Sequence, residues 1–415
     1  MRLMRSFLPR CLVLLAVFAA IGPALASTEP VTYETHYRAE VRPAQKSMHV
    51  EIKLSGQMLP RKLTFTIDPQ RHRSFTSTDK IEIADKTVTW YPHGRFSRLN
   101  YDFMIDHERS KGRYDSLITP DWALLRADRM IPKVSVTSAR KLHSHTTLEL
   151  VLPPDWTAAT PFQPSQDRWV IDDPKRRFDR PAGWILIGKL GKRSEIIAGV
   201  QTIVAAPTGN NARRQDVLAF LNWNLPPLLQ VFPDFPRRLL VATAGDPMWR
   251  GGLSGPSSLF LHADRPLISE NRTSTLLHEI VHVAMGLRGD EESDWIVEGF
   301  AEYYSLDTLH RSGGIGQQRY EEAIRRMQEW ARRSPSLFVD GSSGATTARA
   351  VIALKAVDKE IRTVTSGKAS LDDVARELAA GRGEVSLERL QKIATKIAGR
   401  PLKSLERSTL SQRLE

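Results

Sequence analysis

The chain has 415 residues with a formal net charge of +12 and a single cysteine. This length predicts two or three domains, each with its own hydrophobic core. One cysteine cannot form an intrachain disulfide, so a fold that depends on disulfides is excluded. The basic residues are scattered along the chain and are not grouped with aromatic residues, which argues against nucleic acid as a partner.

The first 26 residues have the order of a secretory signal peptide. Three arginines precede an apolar run at residues 12–21, and Ala-Leu-Ala at residues 24–26 supplies small side chains for cleavage. The apolar run is too short to cross about 30 Å of hydrocarbon as a membrane helix. We therefore expect an exported bacterial protein, periplasmic or secreted, without an integral membrane segment once the signal is removed.

The mature chain is expected to remain basic. Removal of Arg2, Arg5 and Arg10 with the signal lowers the formal charge from +12 to +9. Such a charge is typical of a soluble, solvated surface. It also attracts anions, so an anionic component of the cell envelope is a candidate partner.

Residues 27–206 are predicted to form a β-rich N-terminal domain. Apolar and polar residues alternate at 48–54 and again at 63–67, and a period of two is typical of half-buried strands. Further runs at 184–187 and 196–204 have the composition of strands. The segment 206–211, Ala-Pro-Thr-Gly-Asn-Asn, is dense in turn residues and predicts the domain boundary.

Residues 207–415 are predicted to form a second domain whose helical portion begins near residue 311. Its pattern comprises a helix around residues 217–225, short strands at 239–242 and 259–261, and later helices at 348–361 and 387–397. Ser370 and Asp373 have the spacing of a capping box at a helix start. The fold class predicted from these segments is α+β.

The sequence His278-Glu279-Ile280-Val281-His282 lies within a predicted helix. Apolar residues at the spacing of one helical face indicate the side that packs on the core: Leu277, Ile280, Val281 and Ala284. The two histidines share a different face, where their imidazoles can bind one metal ion. Ser269 or Asn271 is expected to cap the start of this helix, and Gly286 is expected to end it.

A third ligand is predicted at Glu298, with fifteen residues between it and His282. The polar turn at residues 288–293 allows the chain to reverse, so that a second helix can bring this carboxylate to the ion. Three protein ligands with a fourth position left to water are typical of a catalytic zinc site, whereas a structural site has four. We therefore expect one Zn²⁺ per chain, bound by His278, His282 and Glu298.

These residue types predict amide hydrolysis. Zinc polarises a carbonyl and lowers the pKa of its bound water towards about 7. Glu279 can act as the general base that accepts the water proton and passes it to the leaving amine. Glu302, one turn beyond Glu298, either orients a ligand histidine or is an ordinary exposed glutamate. The predicted function is that of a zinc metallopeptidase acting on peptide or protein substrates.

The two motifs, at residues 278–282 and 295–301, resemble the gluzincin core of the aminopeptidase N and glycyl aminopeptidase families within the peptidase MA-like group. The resemblance implies a thermolysin-like zincin catalytic domain. Such a domain has a small sheet whose edge strand binds substrate, an active-site helix, a glutamate helix and a following helical part. We expect the edge strand at residues 259–261.

The sequence departs from these families at two places. Residues 251–255 are Gly-Gly-Leu-Ser-Gly, where the aminopeptidases carry a glutamate that binds the substrate's free amine. Thr346 and Thr347 stand where those families place a tyrosine that stabilises the oxyanion. The oxyanion donor is thus unidentified, with three weak candidates: His262, His310 and Tyr320. The missing carboxylate predicts cleavage within chains, independent of a free amine.

Two other functions fit the same sequence. An envelope-binding or scaffold protein on a zincin fold that has lost activity is one, although such a protein has no need of Glu279. A zinc hydrolase of a non-peptide bond is the other. The natural substrate, the oligomeric state and the role of the N-terminal domain do not follow from the residues.

Overall fold

The structure is a computed structural model, described over residues 31–139, 141–171 and 177–412. The predicted signal peptide, residues 1–26, lies outside the described residues. Within the described ranges, every helix is too short or too polar to cross a membrane.

The regular elements of the N-terminal region are almost all strands. In chain order its elements are β1 (Val31–Arg42), β2 (Ser47–Ser55), β3 (Lys62–Thr66), β4 (His72–Ser77), β5 (Ile81–Ala84), β6 (Thr87–Trp90), β7 (Phe96–Met104), β8 (His107–Ser110), β9 (Arg113–Ile118), β10 (Trp122–Arg126), α1 (Ala127–Met130), β11 (Lys133–Thr137), β12 (Leu142–Val151), β13 (Thr157–Ala159), β14 (Gln163–Ser165), β15 (Arg168–Val170) and β16 (Trp184–Gly188).

These strands form three sheets that share one core. Their orders are β14-β15-β12-β1-β2-β7-β4, β13-β16-β10-β9-β8 and β11-β3-β6-β5. The alternation predicted at 48–54 and 63–67 is that of β2 and β3, whose apolar side chains are buried. Tyr37, Trp90 and Ile185, one from each sheet, are fully buried in the same cluster. The prediction of a β-rich N-terminal region is confirmed.

The second region combines one sheet with helices. In chain order its elements are β17 (Leu190–Ile197), β18 (Val200–Pro207), α2 (Arg214–Val231), β19 (Arg238–Ala244), β20 (Gly252–Gly255), β21 (Ser258–His262), α3 (Thr275–Met285), β22 (Leu287–Gly289), α4 (Asp294–Arg311), α5 (Gln317–Ala331), α6 (Ala345–Val364), α7 (Leu371–Gly381), β23 (Gly383–Val385), α8 (Leu387–Ala398) and α9 (Arg407–Ser411).

The sheet of this region has the order β17-β18-β19-β21-β20. The predicted edge strand at 259–261 was wrong, because it is β21, which pairs with a neighbour on each side. The true edge strand is β20, formed by the glycine-rich segment itself. Burial explains the difference: all five residues of β21 are buried, as in an interior strand, whereas those of β20 are half-buried.

Sheet pairing also bears on the domain boundary. The strands β17 and β18, which the sequence analysis assigned to the N-terminal domain, pair with each other, and β18 pairs in parallel with β19. Both strands therefore belong to the sheet of the second region. We propose a boundary near residue 189, between β16 and β17, instead of one at residue 206.

An apolar interface joins the two regions. Leu124, Trp184 and Leu186 of the N-terminal region pack with Leu240 and Phe260 of the second sheet. The rings of Trp184 and Phe260 have centroids 5.7 Å apart. Because side chains of this size lose most of their exposed apolar surface at the contact, the N-terminal region is a fixed neighbour of the second sheet.

The residues that begin or end α3 and α7 were predicted correctly in part. Gly286 ends α3 in the left-handed conformation, with φ of 57°, which glycine adopts without strain, and the capping box of Ser370 and Asp373 is present. The predicted caps Ser269 and Asn271 were wrong. Ser274 caps α3 instead, and its hydroxyl accepts a hydrogen bond from the backbone N–H of Leu277 at 3.3 Å.

Gly299 sets the distance between α4 and α6. A Cβ added at Gly299 would lie 2.7 Å from the Cβ of Ala350, so the two helices pack at a separation that only glycine allows. We expect Gly299→Ala to lower the free energy of unfolding by about 1–3 kcal/mol, since overpacking outweighs the gain in helix propensity. Urea unfolding followed by circular dichroism measures this.

Gly341→Ala is the matched control, because an added Cβ there meets no atom within 4 Å. Its free energy of unfolding should change by no more than about 0.5 kcal/mol. Equal stability of the two variants would contradict the close packing at Gly299.

Candidate metal centre

The helix α3 places His278 and His282 side by side. Their spacing of four residues puts both rings on one face of the helix, and their Nε2 atoms lie 3.1 Å apart. The opposite face of α3, including Leu277, Ile280 and Val281, is fully buried in the core. The amphipathic pattern of the helix thus directs both imidazoles away from the core.

The helix α4 brings Glu298 to the same point. One carboxylate oxygen lies 3.2 Å from Nε2 of His278, and the other lies 3.4 Å from Nε2 of His282. Ser305 ties the two helices together, since its hydroxyl donates to the carbonyl of Ser274 at 3.0 Å. The two elements that carry the three side chains are therefore held against each other at the start of α3.

The spacing of the three donor groups fits zinc. Zn²⁺ binds imidazole nitrogen at about 2.0–2.1 Å in tetrahedral geometry, which places neighbouring ligand atoms about 3.3 Å apart. The three measured separations are 3.1, 3.2 and 3.4 Å. Two neutral imidazoles and one carboxylate are also a donor set that suits a catalytic zinc ion, with one position left for water.

Glu302 lies one turn further along α4 and contacts the first histidine. Nδ1 of His278 donates to the carboxylate of Glu302 at 2.9 Å. This bond keeps a proton on Nδ1, so Nε2 is the nitrogen that would bind a metal beside Glu298. The geometry is that of a carboxylate which orients a metal-binding imidazole.

Glu279 is buried beneath the edge strand. It is 8% exposed, and a Cβ added at Gly252 would lie 2.5 Å from its Cγ. Burial is the main cause that raises the pKa of the Glu279 carboxyl above its ordinary value, and hydrogen bonds from Ser254 act in the opposite direction. A carboxylate with a raised pKa is a stronger base, which is what proton transfer from water requires.

Two cavities meet at these residues and form one cleft. A cavity of about 1030 Å³ extends towards the N-terminal region, and one of about 760 Å³ extends towards α5 and α6. Both are lined by Gly252, His278, Glu279 and Glu298. The cleft therefore continues on both sides of the candidate metal centre.

A side chain of the N-terminal region forms a hydrogen bond with the edge strand β20. Arg126 donates from Nη1 to the carbonyl of Ser254 at 3.1 Å and binds Asp128 through two further hydrogen bonds, at 3.1 and 2.8 Å. The sequence analysis missed this arginine. An Arg-x-Asp pair at the end of a strand has no local feature that distinguishes it from an ordinary surface pair.

The three weak candidates for the oxyanion donor do not line the cleft. His310 and Tyr320 stack on each other with ring centroids 4.8 Å apart. His262 is buried 3.4 Å from Asp246, on another side of the sheet edge. None of the three is among the residues that line either cavity.

Ser342 is a polar residue of the cleft that sequence reasoning did not single out. Its backbone N–H donates to Asp294 at 2.6 Å, and the residue lines the cavity together with His278 and Glu298. Its hydroxyl is buried and has no hydrogen-bond partner among the described residues. Ser342 lies just before α6, whereas Thr346 and Thr347 lie in the first turn of that helix, so Ser342 is close in sequence to the place where the missing tyrosine was expected.

Comparison with known proteins identifies the fold. No protein-family model matches the chain, and no curated protein matches its sequence. An aminopeptidase N family protein from Idiomarina loihiensis is 15% identical, with a TM-score of 0.62 over 84% of this chain and 70% of its own. Yeast LTA4 hydrolase is 11% identical, with a TM-score of 0.55 over 91% of this chain and 66% of its own.

Legionella pneumophila aminopeptidase A, solved with aspartic acid, is 10% identical, with a TM-score of 0.57 over 93% of this chain and 50% of its own. At these identities the likeness concerns the fold. The predicted α+β fold is confirmed, and so is the predicted likeness in fold to aminopeptidase-type structures. The chain spans between half and about seven tenths of the length of these proteins.

The metal centre leads to a direct prediction. Replacing His282 by Ala removes one of three expected ligands, so zinc bound to purified protein should fall from about one ion per chain to well below that value. Mass spectrometry of the metal content measures this. His310→Ala is the matched control and should keep its zinc, because His310 lies outside the cleft. Full zinc content in His282→Ala would overturn the assignment.

Proposed function

We propose that this protein is a zinc metallopeptidase in which His278, His282 and Glu298 bind the metal and Glu279 is the general base. The observation that carries the proposal is the meeting of two Nε2 atoms 3.1 Å apart, each 3.2 or 3.4 Å from a different carboxylate oxygen of Glu298, beside a buried carboxylate. The aminopeptidase-like folds of the structural neighbours support peptidase activity at the level of the family.

Each residue then has a separate task. When bound, zinc supplies a Lewis acid that polarises the carbonyl and acidifies water. Glu279 accepts the proton of the attacking water and donates it to the leaving amine, for which its raised pKa is suited. Glu302 keeps the proton of His278 on Nδ1. Gly252 leaves room for the carboxylate of Glu279 against the edge strand.

The substrate is proposed to bind as an added strand. On its outer side β20 has no neighbour within the described sheet, so its backbone groups can pair with an extended peptide. The cleft continues on both sides of the metal centre, which leaves room for residues before and after the cleaved bond. This arrangement supports cleavage within chains.

A free amine has no obvious carboxylate to bind at the edge strand. Residues 251–255 contain no acidic side chain. The neighbouring Asp128 is already bound by Arg126, whose guanidinium also reaches Ser254. A substrate ammonium placed here would meet a positive charge, which disfavours it.

We propose export only from the sequence of residues 1–26. We propose contact with an anionic envelope component only from the net charge. Peptides or proteins are the proposed substrates, and we expect one zinc ion per chain.

The role of Glu279 can be tested with Glu279→Gln, which keeps the shape of the side chain but cannot accept a proton. Hydrolysis of a broad peptide mixture should fall by about 100 to 10,000-fold while zinc content stays constant. Glu329→Gln is the matched control, since Glu329 lines the cleft but is exposed. If neither wild type nor variant hydrolyses any peptide and both bind the same partner equally, the protein is a scaffold.

Cleavage within chains is tested by paired peptides with free and acetylated N-termini. We expect comparable kcat/KM for both members of each pair, because no carboxylate of the edge strand binds an amine. Mass spectrometry of the products identifies the cleaved bonds. Activity confined to the free-amine peptides, with release of single N-terminal residues, would contradict the proposal.

A further inference from the structure

The cavity of about 1030 Å³ between the N-terminal region and the candidate metal centre, here called the amino-side arm, is lined by more basic than acidic side chains. Seven arginine and lysine side chains line it, against four aspartates, apart from the metal-site residues Glu279 and Glu298. A cleft lined by charges of one sign concentrates ligands of the opposite sign. The net charge of the side chains that line the arm therefore influences which substrates enter it.

Most of the aspartates already have partners. Asp128 accepts two hydrogen bonds from Arg126. Asp115 lies 2.6 Å from Nδ1 of His107, and Asp294 accepts from the backbone of Ser342. The fourth, Asp68, accepts a local bond from the backbone of Gln70 at 3.0 Å. The negative charges of the arm are thus largely engaged within the protein.

Several cations of the arm are available to a ligand. Arg129 and Lys133 are exposed, and neither forms a salt bridge with any of the described residues. Arg71 lies close by, and burial, with a contribution from the charge of Arg129, lowers its pKa to about 10. It therefore remains protonated at neutral pH.

Arg109 adds a fourth positive group near the metal centre. It is exposed and lies over the ring of Trp249, 5.3 Å from the centroid. Trp249 lines both cavities and packs against Gly251. Positive groups of the arm thus occur beside Trp249, which lines both cavities, as well as at Arg129 and Lys133.

The direction of the edge strand predicts which part of a bound peptide would lie in the amino-side arm. Leu253 and Ser254 line the arm, whereas Gly251 lines the other cavity. A peptide that pairs antiparallel with β20 has its amino-terminal part beside Ser254 and Gly255. Residues on the amino side of the cleaved bond would therefore lie in the arm.

We propose that the amino-side arm recognises carboxylates, so that the preferred substrates are peptide segments with acidic residues on the amino side of the cleaved bond. This inference rests on the proposed peptidase function. Arg129, Lys133 and Arg109 provide charges that remain uncompensated, and an acidic segment supplies the complementary ones. Basic segments are repelled by the same groups.

The experiment uses zinc-loaded full-length protein and three quenched fluorescent peptides of equal length. They share the residues around the cleaved bond and carry three Glu, three Gln or three Lys two to four positions on its amino side. We expect kcat/KM to decrease in the order Glu, Gln, Lys, with Glu exceeding Lys about tenfold. The ratio should shrink between 0.1 and 1 M NaCl, as the screening length falls from about 10 to about 3 Å.

Charge variants locate the effect. Arg129→Gln with Lys133→Gln should abolish the preference, and Arg129→Glu with Lys133→Glu should reverse it. Lys368→Glu with Lys392→Glu changes the net charge as the second pair does, but both residues are exposed outside the cleft, so this control should keep the preference. Zinc content and circular dichroism verify that each variant is folded.

A binding measurement separates this inference from the peptidase proposal. Fluorescence anisotropy of the Glu and Lys peptides with zinc-loaded Glu279→Gln reports recognition without turnover. If wild type cleaves nothing but the Glu peptide binds more tightly through the arm, the peptidase function fails and carboxylate recognition stands. If the three peptides are cleaved and bound equally, or the preference survives both arm variants, the inference is overturned.

Discussion

The structure depends on the packing of α3 against α4. Two Nε2 atoms lie 3.1 Å apart, and each lies 3.2 or 3.4 Å from a different oxygen of Glu298, although two of these groups come from one helix and one from the next. A shift of about 1 Å between the helices would remove the tetrahedral spacing. The hydrogen bond from Ser305 to Ser274 joins α4 to the start of α3, and the absence of a side chain at Gly299 lets α6 pack closely against α4. The hydrophobic core around the helices also supports this packing of α3 against α4.

Because the donor atoms are preorganised, metal binding requires little rearrangement. The same helices also determine which nitrogen of His278 carries a proton, because Glu302 of α4 accepts a hydrogen bond from Nδ1 of His278. Glu279 projects from α3 beneath β20, where burial raises its pKa. Burial of a carboxylate costs free energy, and carboxyl groups with perturbed pKa values occur often at functional sites, which favours the proposed enzyme over a scaffold.

The N-terminal region contributes to the site as well as to the fold. Its apolar contact with the second sheet fixes its position, and Arg126 extends from it to the carbonyl of Ser254 on the edge strand. Its strands, α1 and connecting segments form one wall of the amino-side arm and contribute most of the charged side chains there. In the proposed enzyme the metal centre would supply the chemistry, and the N-terminal region would influence which chains can lie beside it.

The sequence by itself determined the features that depend on local periodicity. A spacing of four residues places His278 and His282 together on any helix, alternation predicts β2 and β3, and the capping box of Ser370 and Asp373 needs only its own turn. Only the tertiary structure decided the rest. The identity of the edge strand, the membership of β17 and β18 in the second sheet, and the contact of Arg126 with Ser254 all depend on pairing between distant segments. Such pairing is set by the burial of whole surfaces, which no local pattern encodes.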